Sequence, residues 1–153
     1  MRKEQLLEKL DRGWDDLKQS YRGLAEAELV VPGVVGNWSV KDVLAHVTTW
    51  EEEALKHLPH ILAGETPPRY WVVYGGVDAF NALMTKRKRA LPLDEVLRQL
   101  DETHGQLVEY VRAAPEELLA TETRFRRRIR LDTYSHYPIH TKMISEWRAQ
   151  RGE

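Results

Sequence analysis

The sequence predicts an all-α protein, a bundle of four long helices, and three observations support that. Apolar residues recur at three- and four-residue steps through four long segments, which is the period of an amphipathic helix. No stretch alternates apolar and polar residues for long enough to make a strand, and no internal repeat appears. The chain, at 153 residues, is of single-domain size over 1–153 and can bury a real core.

The first helix is expected over about residues 3–28. Leu6, Leu10, Trp14, Leu17, Tyr21 and Leu24 line one face, and Lys9, Asp16 and Lys18 lie on the other. Val30 to Trp38 reads as a loop, because Pro32, Gly33 and Gly36 interrupt any regular pattern. Ser39 with Asp42 three residues later is a capping box, and it opens a second helix over about 40–63. Its apolar face is Val43, Leu44, Val47, Trp50, Ala54, Leu58 and Leu62, and His46 lies on that face, pointing inward. Residues 64–76, with paired prolines and paired glycines, form a crossover whose Tyr70, Trp71 and Tyr74 are expected to pack down on the bundle. The crossover leads into an extra short helix over 77–89, carrying Phe80, Leu83 and Met84 and broken before Pro92. A third long helix follows over about 94–113, with Val96, Leu97, Leu100, Leu107, Val108 and Val111 as its apolar positions. Pro115 starts a short turn. The last long helix is expected over about 132–150, capped by Asp132 or Ser135. Pro138 lies inside it, so the helix either starts late with Pro138 in its first turn or kinks there.

Composition excludes several classes of function. A formal net charge of −1 gives no overall field toward nucleic acid or an anionic membrane, so neither is an expected partner. The absence of cysteine rules out disulfides, a thiol nucleophile and thiolate ligands, leaving His, Asp and Glu as the strong metal ligands. The amphipathic N-terminus has no apolar signal-peptide region, and no apolar run approaches the ~20 residues of a membrane span. Cytoplasmic location is therefore the default expectation.

The chemistry-bearing motif is His136 with His140. One helical turn separates them, which puts their Cβ atoms roughly 5–6 Å apart on one face. If the second and last helices pack side by side, His46 joins them, and three neutral imidazoles can hold one divalent ion with positions left open. Nickel and zinc both suit imidazole. Asp42, one turn before His46, either caps its helix or orients the His46 ring.

Other residues admit a plain reading beside a functional one. Arg124, Arg126, Arg127, Arg128 and Arg130 read first as a solvated alternating segment whose Phe125, Ile129 and Leu131 face the core. In the functional reading those arginines, Arg128 among them, hold a carboxylate or phosphate at the mouth of the site. His57 and His60 read as a helix end, and Asp101 with His104 as a solvated helix face. Trp50 and Trp147 read as core residues ahead of substrate platforms, and Trp38 as a staple before the cap. Tyr134 and Tyr137 flank His136 and are candidates to reach a bound ligand.

The motifs NWSVKDVLAHVTTWEEE and HYPIH, in that order along the chain, resemble the second and last helices of the DinB-like superfamily. The resemblance implies a four-helix bundle of up-down-down-up topology, with His46, His136 and His140 holding a divalent nickel or zinc ion. It also implies thiol transfer to, or hydrolysis of, a reactive small molecule, with a low-molecular-weight thiol as cosubstrate in the transferases. Within the superfamily, WSVKDVLAHV…WEEE and the closing SHY also resemble the ClbS/DfsB branch. That branch includes a hydrolase that opens an electrophilic warhead and is not known for a three-histidine metal site, which implies a metal-independent resistance protein as the alternative. A non-enzymatic, metal-stiffened bundle that dimerises or binds a partner is the third reading, and a homodimer through helix faces suits the architecture.

Overall fold

The structure, a computed structural model, describes residues 1–152, and among them the regular elements are helices, with one isolated antiparallel bridge between Val35 and Trp38. The first helix, α1 (Lys3–Tyr21), stops earlier than its apolar period suggests. Gly23 has a φ of +85°, a left-handed conformation that breaks the helix. The short α2 (Glu26–Leu29) follows, so the expected helix over 3–28 is two pieces.

The Ser39–Asp42 capping box forms as expected: Asp42 N–H donates to Ser39 Oγ at 3.2 Å and Ser39 N–H to Asp42 Oδ2 at 3.0 Å. It starts α3 (Val40–Leu62), the longest helix. The crossover holds a single turn, α4 (Tyr70–Val73), and then α5 (Val77–Arg89). The next long helix is α6 (Leu93–Ala113), and the turn after Pro115 is α7 (Glu117–Ala120). The arginine run is a helix, α8 (Arg124–Asp132), and the chain closes with α9 (Tyr137–Gln150). The helix expected over 132–150 therefore starts at Tyr137, and neither Asp132 nor Ser135 caps it. Asp132 ends α8, and Pro138 falls in the first turn of α9, where its missing N–H needs no partner.

Four helices make the bundle. α1 packs against α9 and α6, and α3 packs against α6 and α9, so α1 and α3 stand on opposite corners. Hydrogen bonds from Lys3 at the start of α1 to Arg112 and Glu116 make α1 and α6 antiparallel. Gly13 faces Tyr137, and Arg148 bonds the carbonyls of Ser20 and Arg22, so α1 and α9 run the same way. Val43 and Leu44 share a cluster with Val96 and Leu100, and Leu58 shares another with Leu107 and Val111, so α3 runs parallel to α6. The order is up, down, down, up, as the resemblance implied.

Those two apolar clusters are separate. Leu10, Leu17, Val43, Val47, Leu100 and Ile144 belong to one, and Leu6, Leu58, Leu107, Leu119, Phe125 and Ile129 to the other. Each fully buried aliphatic side chain contributes about 1.5–3 kcal/mol. At the level between them sit buried Glu51, Thr103, His104 and Thr133, so a polar layer crosses the bundle.

Three expectations about apolar residues fail. Leu62 and Leu131 are exposed, since each lies at the last turn of its helix beyond any partner element. In the crossover Tyr70 and Tyr74 pack down, but Trp71 is 66% exposed. α4 is one turn long, so it has only one inward side, and Tyr70 occupies it. No helix among the described residues is long and apolar enough to cross a membrane.

Candidate metal centre

The capping box fixes where α3 begins, and thereby where His46 points: across toward the start of α9, where His136 is the N-cap residue and His140 lies in the first turn. His136 Nε2 stands 3.2 Å from His46 Nε2 and 2.8 Å from His140 Nε2. One ligand atom from each of the three lies within 4.8 Å of the others, a group able to hold a metal ion. Nitrogens bound to one ion at about 2.0–2.1 Å stand about 3 Å apart, so the cluster has the size of a ligand set.

Hydrogen bonding alone does not account for this packing. A neutral imidazole carries a single N–H, so His136 Nε2 can form one linear N–H···N bond and not two. One of the two contacts is then left without a hydrogen bond of its own, whereas a cation would engage all three nitrogens. Burial keeps the rings uncharged. It pushes His46 down to about 3, with help from His140 and Lys88, and His136 down to about 2, with help from His140 and His46. Burial alone takes His140 to about 4. Neutral imidazole is the form that ligates. The buried Nδ1 atoms of His136 and His140 meet no acceptor, so packing holds the rings, with Trp38 tilted against His46 at 5.2 Å between centroids.

The other candidates lie elsewhere. Asp42 bonds the Ser39 N–H and lies 3.5 Å from Arg89, so it is a cap and does not orient His46. Tyr137 is fully buried, and its hydroxyl turns away from the cluster to donate to Glu51 at 2.8 Å. Tyr134 is half-buried, its hydroxyl unpartnered and its ring beneath Lys9. Trp147 is core. Trp50 is half-buried, donates to Asn81 Oδ1 at 2.9 Å, and packs on Phe80, Tyr70 and Arg128. Arg128 pairs with Asp132 at 2.6 Å on its own helix, and its neighbours Arg126 and Arg130 pair with Glu122. The arginine run is thus a helix on which Arg126, Arg128 and Arg130 are ion-paired while Arg124 and Arg127 stay exposed, and not an alternating segment. His57 and His60 face the carboxylates of Glu53 and Glu65 rather than helix-end carbonyls.

His104 overturns its expectation of a solvated face. It is buried, stacked on Trp14 at 3.6 Å, and its Nδ1 lies 2.9 Å from Glu51 Oε2. Sequence reasoning does not single out Glu51, although a signal is present: it continues the inward steps Val43, Val47, Ala54 and Leu58. Asp101 does stay on the surface, bonded to Lys18.

An up-down-down-up bundle whose second and last long helices bring three histidines together defines a class of helical proteins with a candidate metal centre. The sequence model of the DinB superfamily matches residues 9–143, and the chain belongs to that superfamily. Among solved structures it is similar to the colibactin self-resistance protein ClbS in complex with double-stranded DNA, at a TM-score of 0.80 and 16% identity, covering 95% of this chain and 94% of that one. It is also similar to the sibling lethal factor precursor DfsB, at 0.82 and 16%, covering 99% and 97%. A protein from Streptococcus pneumoniae matches at 0.79 and 16%, covering 97% and 91%. At these identities the likeness concerns the fold. No curated protein matches.

The ClbS complex corrects one expectation. A net charge of −1 argues against nucleic acid as a partner, yet a bundle of this fold has been crystallised with duplex DNA. Net charge is a sum over the whole surface, and binding depends on how charge is distributed.

Proposed function

We propose that the protein is a metal-dependent enzyme acting on a reactive small molecule, by thiol transfer or hydrolysis, with His46, His136 and His140 as the ligands of a nickel or zinc ion. The observation that supports this most is the convergence of three Nε2 atoms, with contacts of 2.8 and 3.2 Å, from two helices separated by most of the chain. Such an ion, when bound, lowers the pKa of a coordinated water or thiol toward neutrality. The protein's part is to keep the three imidazoles neutral by burial, to hold them by packing, and to leave His46 and His136 partly accessible for a substrate.

The test is metal content by mass spectrometry on the purified protein and on His140→Ala, followed by turnover with a panel of low-molecular-weight thiols and electrophiles with and without chelator. About one ion per chain, lost in the variant, together with chelator-sensitive turnover, supports the reading. Undiminished metal in His140→Ala sinks it.

A second reading rests on the similarity to ClbS and DfsB: protection against an electrophilic natural product without metal, with DNA as a further partner. It requires that protection or activity survive chelation, and that a labelled duplex be retarded by the protein at moderate salt.

A further inference from the structure

Between the crossover and α8 lies a shallow cavity of about 420 Å³ that does not include the histidine cluster. Its walls are apolar: Ile61, Pro68, Trp71 and Val77. Trp71, Val77 and neighbouring Val72 are exposed, in a patch that continues from the cavity across α4. The charged residues lining it are Arg69 and Arg128, and no carboxylate lines it.

Arg128 is held in place. Its Nε donates to Asp132 Oδ2 at 2.6 Å and its Nη2 to the Tyr70 hydroxyl at 2.8 Å, while Tyr70 donates onward to Glu53 at 3.1 Å. The guanidinium also lies against the Trp50 and Tyr70 rings at 5.8 and 5.7 Å. Asp132 and Glu53 are buried behind it and do not line the cavity. The remaining nitrogen, Nη1, has no protein partner, and it is not sealed from solvent.

We infer that this cavity binds a small amphiphilic carboxylate, with its apolar body against Trp71, Val77 and Ile61 and its anionic head on Arg128 Nη1. Arg128 is preorganised for such a head group, because Asp132 and Tyr70 fix the guanidinium plane and a ligand need not order it. Apolar walls with one convergent charged donor are the usual make-up of a small-molecule site. The inference stands apart from the metal proposal, since none of these residues belongs to the histidine cluster.

The test uses the full chain with 2-naphthoate and its methyl ester as probes, by calorimetry or ligand-observed NMR. The wild type is expected to bind naphthoate saturably, about tenfold or more tighter than the ester, as a charge-assisted bond is worth. Arg128→Gln is expected to abolish that preference, and Trp71→Ala to weaken both probes. Equal binding of acid and ester by the wild type, no saturable binding of naphthoate, or a preference that survives in Arg128→Gln each overturns the inference. Should Arg128→Gln fail to fold, Val77→Asp at an exposed wall position is expected to weaken naphthoate more than the ester, and an unchanged preference for naphthoate over the ester there overturns the inference.

Discussion

The Tyr137 hydroxyl on α9 donates to Glu51 Oε2 on α3 at 2.8 Å, joining residues 86 apart in sequence through the middle of the bundle. His104 Nδ1 from α6 reaches the same oxygen at 2.9 Å, and Trp14 from α1 stacks on His104. Three of the bundle helices thus meet at one carboxylate, with the fourth stacked on its His104 partner, and burial holds that carboxylate above the usual range. Glu51→Leu removes the partner that Tyr137 and His104 share and leaves them only their 3.4 Å contact with each other. We expect it to cost about 2–4 kcal/mol of stability. Glu51→Gln keeps an acceptor of the same size and is expected to cost about 1 kcal/mol. Urea unfolding of the pair checks this, and equal losses would mean that packing and not hydrogen bonding sets the cost.

Two helical glycines are expected to respond with opposite signs. A Cβ on Gly13 would lie 3.1 Å from the Tyr137 ring, which is fully buried and tied to Glu51, so the ring has little room to give. A Cβ on Gly105, exposed on α6, meets nothing within 4 Å. Gly105→Ala is therefore expected to stabilise by about 0.8–1 kcal/mol from helix propensity. In Gly13→Ala overpacking outweighs the same gain, for a net loss of about 1 kcal/mol. Thermal unfolding of the two variants separates them.

Asp132 supplies a pH signature. Burial pushes its carboxyl from 3.8 up to about 7, against the pull of Arg128. Its folded value lies above its unfolded one, so between those pH values the folded state holds a proton that the unfolded state has released. Stability from this group is present in full below about pH 4 and is lost as pH rises to about 7. Relative to Asp132→Asn, the wild type should therefore lose up to about 1.4 kcal/mol per pH unit across that window. Other titrating groups are common to both proteins and cancel in the difference. A flat difference would show that the folded Asp132 titrates normally.

Metal should act on stability as well as on activity. A ligand that binds the folded state alone at a hundred times its Kd adds about 2.7 kcal/mol. Addition of zinc or nickel to chelator-treated protein is expected to raise the melting temperature, and His46→Gln to remove most of that rise. A rise that persists in His46→Gln would place the ion elsewhere.

Helix periodicity makes the four-helix plan legible, because a chain that must bury one stripe of each helix writes that stripe at three- and four-residue steps. Boundaries are less legible. The end of α1 depends on one left-handed glycine, Gly23, and the start of α9 on Pro138 being placed in a first turn rather than a kink. The histidine trio is visible as a pattern, since spacing and order along the chain are sequence properties. The burial of His104 and the tie of Arg128 to Tyr70 escape that reading for a common reason: whether a polar side chain faces water or a partner depends on which residue from a distant segment arrives opposite it.

The sequence by itself determined the number of long helices, the capping box that sets the direction of α3, and the residue types available to hold an ion. Only the tertiary structure decided that Nε2 of His136 meets both other histidines, that Glu51 gathers its partners from distant helices, and that Arg128 is clamped beside an apolar hollow. Propensity and capping act over one helical turn, and local sequence carries them in full. Desolvation and hydrogen bonding act between groups brought together from far along the chain, so their outcome exists only once the helices have packed.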